Sequence, residues 1–204
     1  MFKVNKRDAT QIYHVFNTFI NNEYGLMGDI KDMTVVDGGA SIGDTAIFFA
    51  LKGARYVIAY EPIPSYYNLL VENIELNKLN GIVEPRNYAI WPYNTTLKLH
   101  IPQNWKGKAT CIKEFIERGR QDVEYDVIEV KAEPPPKANI LKLDCEGCEY
   151  PIILNWLNSP IYEKIILEYH NTYHTLAKKL ISLGYKVKVL RRQRTGLIYA
   201  VRDR

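Results

Sequence analysis

The chain has 204 residues, 27 Lys and Arg against 23 Asp and Glu for a formal charge of +4, and 47% hydrophobic residues. That size and composition suit one folded domain over 1–204 with a sizeable core, and exclude a disordered chain. No apolar run reaches the about 18 residues that span a bilayer, and Met1 to Asp8 lack the apolar stretch of a signal peptide, so the expectation is a cytoplasmic protein with no membrane partner.

Ile12, Val15, Phe16, Phe19 and Ile20 recur at helical spacing between Asp8 and Asn21, with Asp8 placed to cap the start. Residues 1–30 thus read as a helical N-terminal segment ahead of a core over 31–204. Met33 to Asp37 predicts a buried strand running into the small-residue turn Gly38-Gly39-Ala40-Ser41-Ile42-Gly43. Asp44 to Lys52 predicts a helix closed by Gly53. Tyr56 to Tyr60 predicts a second strand, and Pro64 opens a helix to Leu79.

Further strands are predicted at 82–87, 97–101, 126–130, 139–144 and 164–169, with helices at 151–157 and 173–183. Tyr185 to Leu190 and Leu197 to Val201 predict two closing strands that pair antiparallel around a basic tip, Arg191-Arg192-Gln193-Arg194. Alternating strands and helices with a terminal hairpin predict an α/β fold: a mostly parallel, doubly wound sheet with an antiparallel C-terminal strand.

Ligands of such sheets bind beyond the carboxyl ends of the strands. Asp37, Glu61, Asp144 and Glu168 each stand at the predicted carboxyl end of a strand, so four strands aim acids at one edge. The first loop is glycine-rich as close ligand approach requires. Its glycines, at 38, 39 and 43, miss the G-x-G-x-x-G spacing of dinucleotide folds and follow an acid that would repel pyrophosphate. An acid there would instead favour a cation, such as the ammonium and sulfonium of S-adenosylmethionine. Glu61 is placed to accept two ribose hydroxyls.

Cys111, Cys145 and Cys148 are too few for a disulfide scaffold, so reduced thiols are expected. Cys145-Glu146-Gly147-Cys148 is a C-x-x-C without a second pair, and no metal site is assigned.

The segments VVDGGASIGDT (35–45), Tyr60-Glu61-Pro62 with Asn77-Lys78-Leu79, LKLDCEGCE (141–149) and Leu167-Glu168-Tyr169-His170 together resemble the FkbM family of methyltransferases, in order over about residues 33–202. The part from Lys142 to Glu149 is the most specific. The resemblance implies a Rossmann-like class I methyltransferase fold, S-adenosylmethionine as cofactor, and methyl transfer to a hydroxyl of a sugar, glycan or other small acceptor. Position by position it implies that Asp37, Gly39, Gly43 and Asp44 surround the methionine portion, with Gly38, Ala40 and Ser41 completing the loop. Glu61 would hold the ribose, Tyr88 and Ala89 would border the adenine, and Asp144 would lie near the transferred methyl. Cys145 and Cys148 depart from the small apolar residues common there, which favours packing roles.

Removal of a hydroxyl proton during attack calls for a general base, for which Asp144, Glu146 and His170 are the candidates. An RNA or tRNA methyltransferase is the alternative, on the basic balance and on Tyr66, Tyr67 and Trp91 as stacking surfaces, with nucleic acid admitted as a partner but not favoured. A non-catalytic binding module retaining the fold is the other. No signature sets an acceptor or an oligomeric state.

Overall fold

The computed structural model describes residues 1–6, 8–103, 106–112, 123–190 and 194–202. In chain order the elements are α1 (Ala9–Phe19), β1 (Thr34–Gly38), α2 (Asp44–Leu51), β2 (Tyr56–Tyr60), α3 (Pro64–Leu76), β3 (Val83–Arg86), β4 (Ala89–Ile90), β5 (Thr95–Pro102) and β6 (Tyr125–Glu133). There follow β7 (Ile140–Leu143), α4 (Glu149–Pro151), β8 (Lys164–His170), α5 (His174–Ser182), β9 (Tyr185–Leu190) and β10 (Thr195–Arg202).

Seven strands form the main sheet in the order β3-β2-β1-β7-β8-β10-β9. All pairings are parallel except those of β10, which runs antiparallel to both β8 and β9. The order reverses between β1 and β7, so a crevice opens at their carboxyl ends. Strand alternation sorts the core into two layers. Val35, Val57 and Ala59 pack with Ala46, Ile47 and Phe49 of α2 and Leu70 and Ile74 of α3. Val36, Ile58 and Leu141 turn the other way, toward Ile152, Ile153 and Leu157 and toward Leu176 and Leu180 of α5. Strands buried on both faces read as apolar runs for this reason.

The strands expected at 97–101 and 126–130 are present but longer, and they do not extend the main sheet. With β4 they build a separate three-stranded sheet, β4-β6-β5. Their residues alternate in burial, as one-sided antiparallel strands do. The sheet packs through Leu99, Ile101 and Val130 against Ile63 and Tyr66 at the start of α3. Arg86 clamps its far end, with Nη1 2.7 Å from Glu133 Oε1, which also accepts from Tyr60 Oη at 2.7 Å.

The helix expected from Pro151 begins earlier, at Glu149, and passes into a π-helical turn, Ile152–Trp156. Proline at 151 is tolerated because it falls in the first turn, where its missing N–H has no intrahelical acceptor to lose. The basic tip at Arg191, Arg192 and Gln193 lies outside the described residues.

Candidate functional site

A cavity of about 610 Å³ opens at the carboxyl ends of β1, β2, β7 and β8. Three parts of the chain wall it: the strand-end loops, α1 through Tyr13, His14, Asn17 and Thr18, and the small sheet through Leu99 and the segment Gly107 to Ala109.

Of the loop after β1, Gly39, Ser41 and Asp44 line the cavity, whereas Asp37, Gly38, Ala40 and Gly43 lie behind it. Gly39, at φ +79°, crosses the next strand so closely that a Cβ there would sit 1.8 Å from the Asp144 carbonyl oxygen. Gly43 is left-handed at φ +92°, and a Cβ would meet Leu70 Cδ1 at 2.7 Å. These glycines let the backbone pass through the packing, and Gly39 also faces the cavity.

Asp37 is fully buried and does not face the cavity as expected. Its Oδ2 accepts from Thr45 Oγ1 at 2.5 Å, and Oδ1 lies 2.9 Å from Lys142 Nζ. That contact is ionic rather than well directed, since Oδ1 has no hydrogen bond among the described residues. Lys142 also donates to the Gly39 carbonyl at 2.9 Å. Burial alone would lower the Lys142 pKa, but the carboxylates of Asp37 and Asp144 reverse this and raise it.

Glu61 is 4% exposed and lines the cavity. Its Oε2 accepts from Ser41 N at 2.9 Å and its Oε1 from Ile63 N at 2.8 Å. Burial pushes its pKa up to about 8, against the pull of the two N–H groups. Asp44, which also lines the cavity, accepts from Thr18 Oγ1 at 2.7 Å, which ties α1 over the site, and burial raises its pKa too. Tyr88 and Ala89 border the cavity beside Ile63 and Ile90, an apolar slot next to Glu61.

The floor is acidic. Asp144, Glu146 and Glu168 line it, and His170 stands just behind them. His170 Nδ1 lies 3.0 Å from Glu149 Oε1, and Nε2 is 3.3 Å from Glu146 Oε2 and 4.0 Å from both Asp144 Oδ1 and Glu168 Oε2. Burial would lower the His170 pKa, but the carboxylates of Glu146 and Glu149 raise it well above the ordinary value. Asp144 is held below the carboxylate range because Lys142 and His170 outweigh its burial. Glu168 is pushed up to about 8 by burial and by the neighbouring Asp144 charge. Lys108, from the small-sheet region, reaches Glu146 Oε1 at 2.6 Å.

The loop 145–148 departs from expectation: Cys145 and Cys148 form a disulfide, their Cα atoms 5.5 Å apart. Left-handed backbone at Glu146, φ +51°, and at Gly147, φ +121°, folds the loop back and brings the two thiols together. Cys111 is free, and burial pushes its thiol up to about 11.

Lys142 and Lys108 belong to this site although the sequence singled out neither. Lys142 could have been read as a charge that a four-residue strand must bury; Lys108 carries no local signal. Glu168 was legible as a strand-end acid. The α1 residues facing the cavity were hidden because helical periodicity marks the apolar face and leaves the polar one unassigned.

A family model described as the methyltransferase FkbM domain matches residues 37–187. In fold the chain is similar to magnesium protoporphyrin IX methyltransferase from Synechocystis PCC 6803 with bound SAM, at 12% identity and TM-score 0.53 over 98% of this chain and 86% of that one. It is similar also to the tRNA methyltransferase TrmK of B. subtilis, at 12% identity and TM-score 0.51 over 100% and 68%. Against Methanocaldococcus jannaschii Trm5 in complex with adenosine the identity is 16% and the TM-score 0.48 over 90% of this chain, which spans about half (49%) of that one. The first two likenesses show the Rossmann-like class I methyltransferase fold. No curated protein matches the chain in sequence.

Proposed function

Because the chain belongs to the FkbM methyltransferase family, we propose that its cavity binds S-adenosylmethionine and directs the methyl group to a hydroxyl of a sugar or other small acceptor. The observation that carries the cofactor assignment is Glu61, a buried carboxylate at the end of β2 that faces the cavity with each oxygen anchored by one backbone N–H. Those bonds leave further lone pairs for a diol such as a ribose.

The rest of the donor set fits. Asp44 and Asp144 line the wall that a cationic methionine portion would approach, and Tyr88, Ile63 and Ile90 offer an apolar slot for a flat base. A cavity of about 610 Å³ lies within the range of roughly 300–1,000 Å³ for small-molecule sites. The bound cofactor supplies an electrophilic methyl carbon, and the protein's part is then to position an acceptor oxygen in line with it and remove a proton.

Support for a hydroxyl acceptor comes from the floor, where Asp144, Glu146 and Glu168 present carboxylates to the cavity. Such a surface accepts hydrogen bonds from neutral hydroxyls and repels the phosphates of a polynucleotide. Calorimetric titration with S-adenosylhomocysteine tests the cofactor assignment: micromolar binding in the wild type that weakens at least tenfold in Glu61→Ala is expected. No binding by the folded wild type sinks the reading. Glycans and small polyols are then the acceptors to assay.

A further inference from the structure

We propose that Asp144, Glu168 and His170 form a site for one divalent cation of Mn²⁺ character at the floor of the cavity. One ligand atom from each of these residues lies within 4.8 Å of the others, and His170 Nε2 is 4.0 Å from both carboxylates. Divalent ions take imidazole nitrogen and carboxylate oxygen at about 2.0–2.2 Å. An ion therefore fits between atoms 4.0 Å apart with small side-chain rotations.

The second observation is His170 itself. It is 9% exposed, and its Nε2 has no hydrogen bond among the described residues; Glu146 Oε2 stands 3.3 Å away but off the bonding direction. On its other side Nδ1 meets Glu149, which is 0% exposed and whose Oε2 accepts from Gly147 N at 2.9 Å. A carboxylate on Nδ1 holds a proton there and aims Nε2 outward, the arrangement by which proteins orient metal-binding histidines. Here Nε2 faces Asp144, Glu168 and Glu146. An ion bound there would displace any proton that Nε2 carries.

The nearby ammonium groups lie at the edges of this cluster: Lys142 pairs with Asp37, and Lys108 with Glu146. The three ligands are held on rigid elements. Glu168 and His170 are two apart on β8, and Asp144 directly follows Leu143, the register partner of Leu167. Left-handed backbone at Glu146 is the kind of strain that functional sites retain. One imidazole with two carboxylates suits an ion of intermediate hardness, and the thiols of Cys145 and Cys148, closed in a disulfide, offer no soft ligand.

Asp144 and Glu168 line the cavity, so the ion's remaining positions would face the acceptor. Coordination there orients a hydroxyl and acidifies it. That use rests on the methyltransferase reading, but ion binding does not.

The experiment takes the full chain, stripped with a chelator and kept free of reductant and cofactor, and titrates it with Mn²⁺ under electron paramagnetic resonance. One equivalent bound in the micromolar range is expected, with ¹⁴N coupling from an imidazole in the spin-echo spectrum and at least tenfold weaker binding in Glu168→Gln. Absence of a micromolar equivalent, or a bound ion without nitrogen coupling, overturns the proposal; the coupling is read on the wild type, so the result does not depend on a variant folding. S-adenosylhomocysteine titrated into the same metal-free protein separates the two readings, since cofactor binding without Mn²⁺ binding sinks the ion alone.

Discussion

Lys142 and Asp37 are register partners on the adjacent parallel strands β7 and β1, and their charged ends meet at 2.9 Å with both side chains sealed from water. The pair sits directly beneath the cavity, at the point where the strand order reverses. It neutralises the one acid of the first loop that does not face the ligand, and the Lys142 bond to the Gly39 carbonyl fixes the loop that does.

Removing one partner of a buried ion pair leaves an uncompensated charge and costs about 3–5 kcal/mol, whereas replacing both is far milder. Lys142→Met should therefore lower stability by that order in urea unfolding, and Lys142→Met with Asp37→Asn should recover a good part of it. Additive losses in the double variant would mean that the two charges are not coupled.

Gly39→Ala should be much more damaging than Gly184→Ala, although both residues are left-handed, at φ +79° and +87°. The conformational cost is common to both, about 1–2 kcal/mol. Only at Gly39 does the added Cβ collide with backbone, the Asp144 carbonyl, while nothing lies within 4 Å at Gly184. Equal melting temperatures for the two variants would contradict this packing.

The affinity for S-adenosylhomocysteine should rise with pH and level off near the Glu61 pKa of about 8. Below that value free Glu61 carries a proton. Ribose hydroxyls that donate to the carboxylate favour its ionised form, so binding releases the proton and log K climbs with a slope of up to about one. Calorimetry at neutral pH in buffers of different ionisation enthalpy measures the release. Stability runs the opposite way: a folded pKa above the ordinary 4.5 means that ionising Glu61 disfavours the folded state progressively up to about pH 8. Glu61→Gln should thus raise the melting temperature more at pH 8.5 than at pH 5, and an unchanged difference would count against the shift.

Much of this was legible in the residues. Apolar runs such as Val35-Val36 and Tyr56 to Tyr60 marked the parallel strands because burial on both faces leaves no alternation to confuse with a helix. Strand-end acids marked the edge where the cavity opens. Less legible was where 97–101 and 126–130 would go, since alternation shows that a strand is half buried but not which sheet it joins. The sequence led to reduced, packing thiols at Cys145 and Cys148, and the turn at Glu146 and Gly147 overturned that by bringing the two together, a nearness the spacing alone did not show.

By itself the sequence determined the family, the order of elements and which acids reach the carboxyl edge, because hydrophobic period and glycine placement are local properties of the chain. Only the tertiary structure decided which acids face the cavity and which are neutralised. Asp37 and Lys142 are 105 residues apart in numbering and become partners through strand register. His170, Glu168 and Asp144 likewise converge through the pairing of β7 with β8. The charge state and ligand chemistry of such groups depend on neighbours that folding supplies, and those neighbours lie far away along the chain.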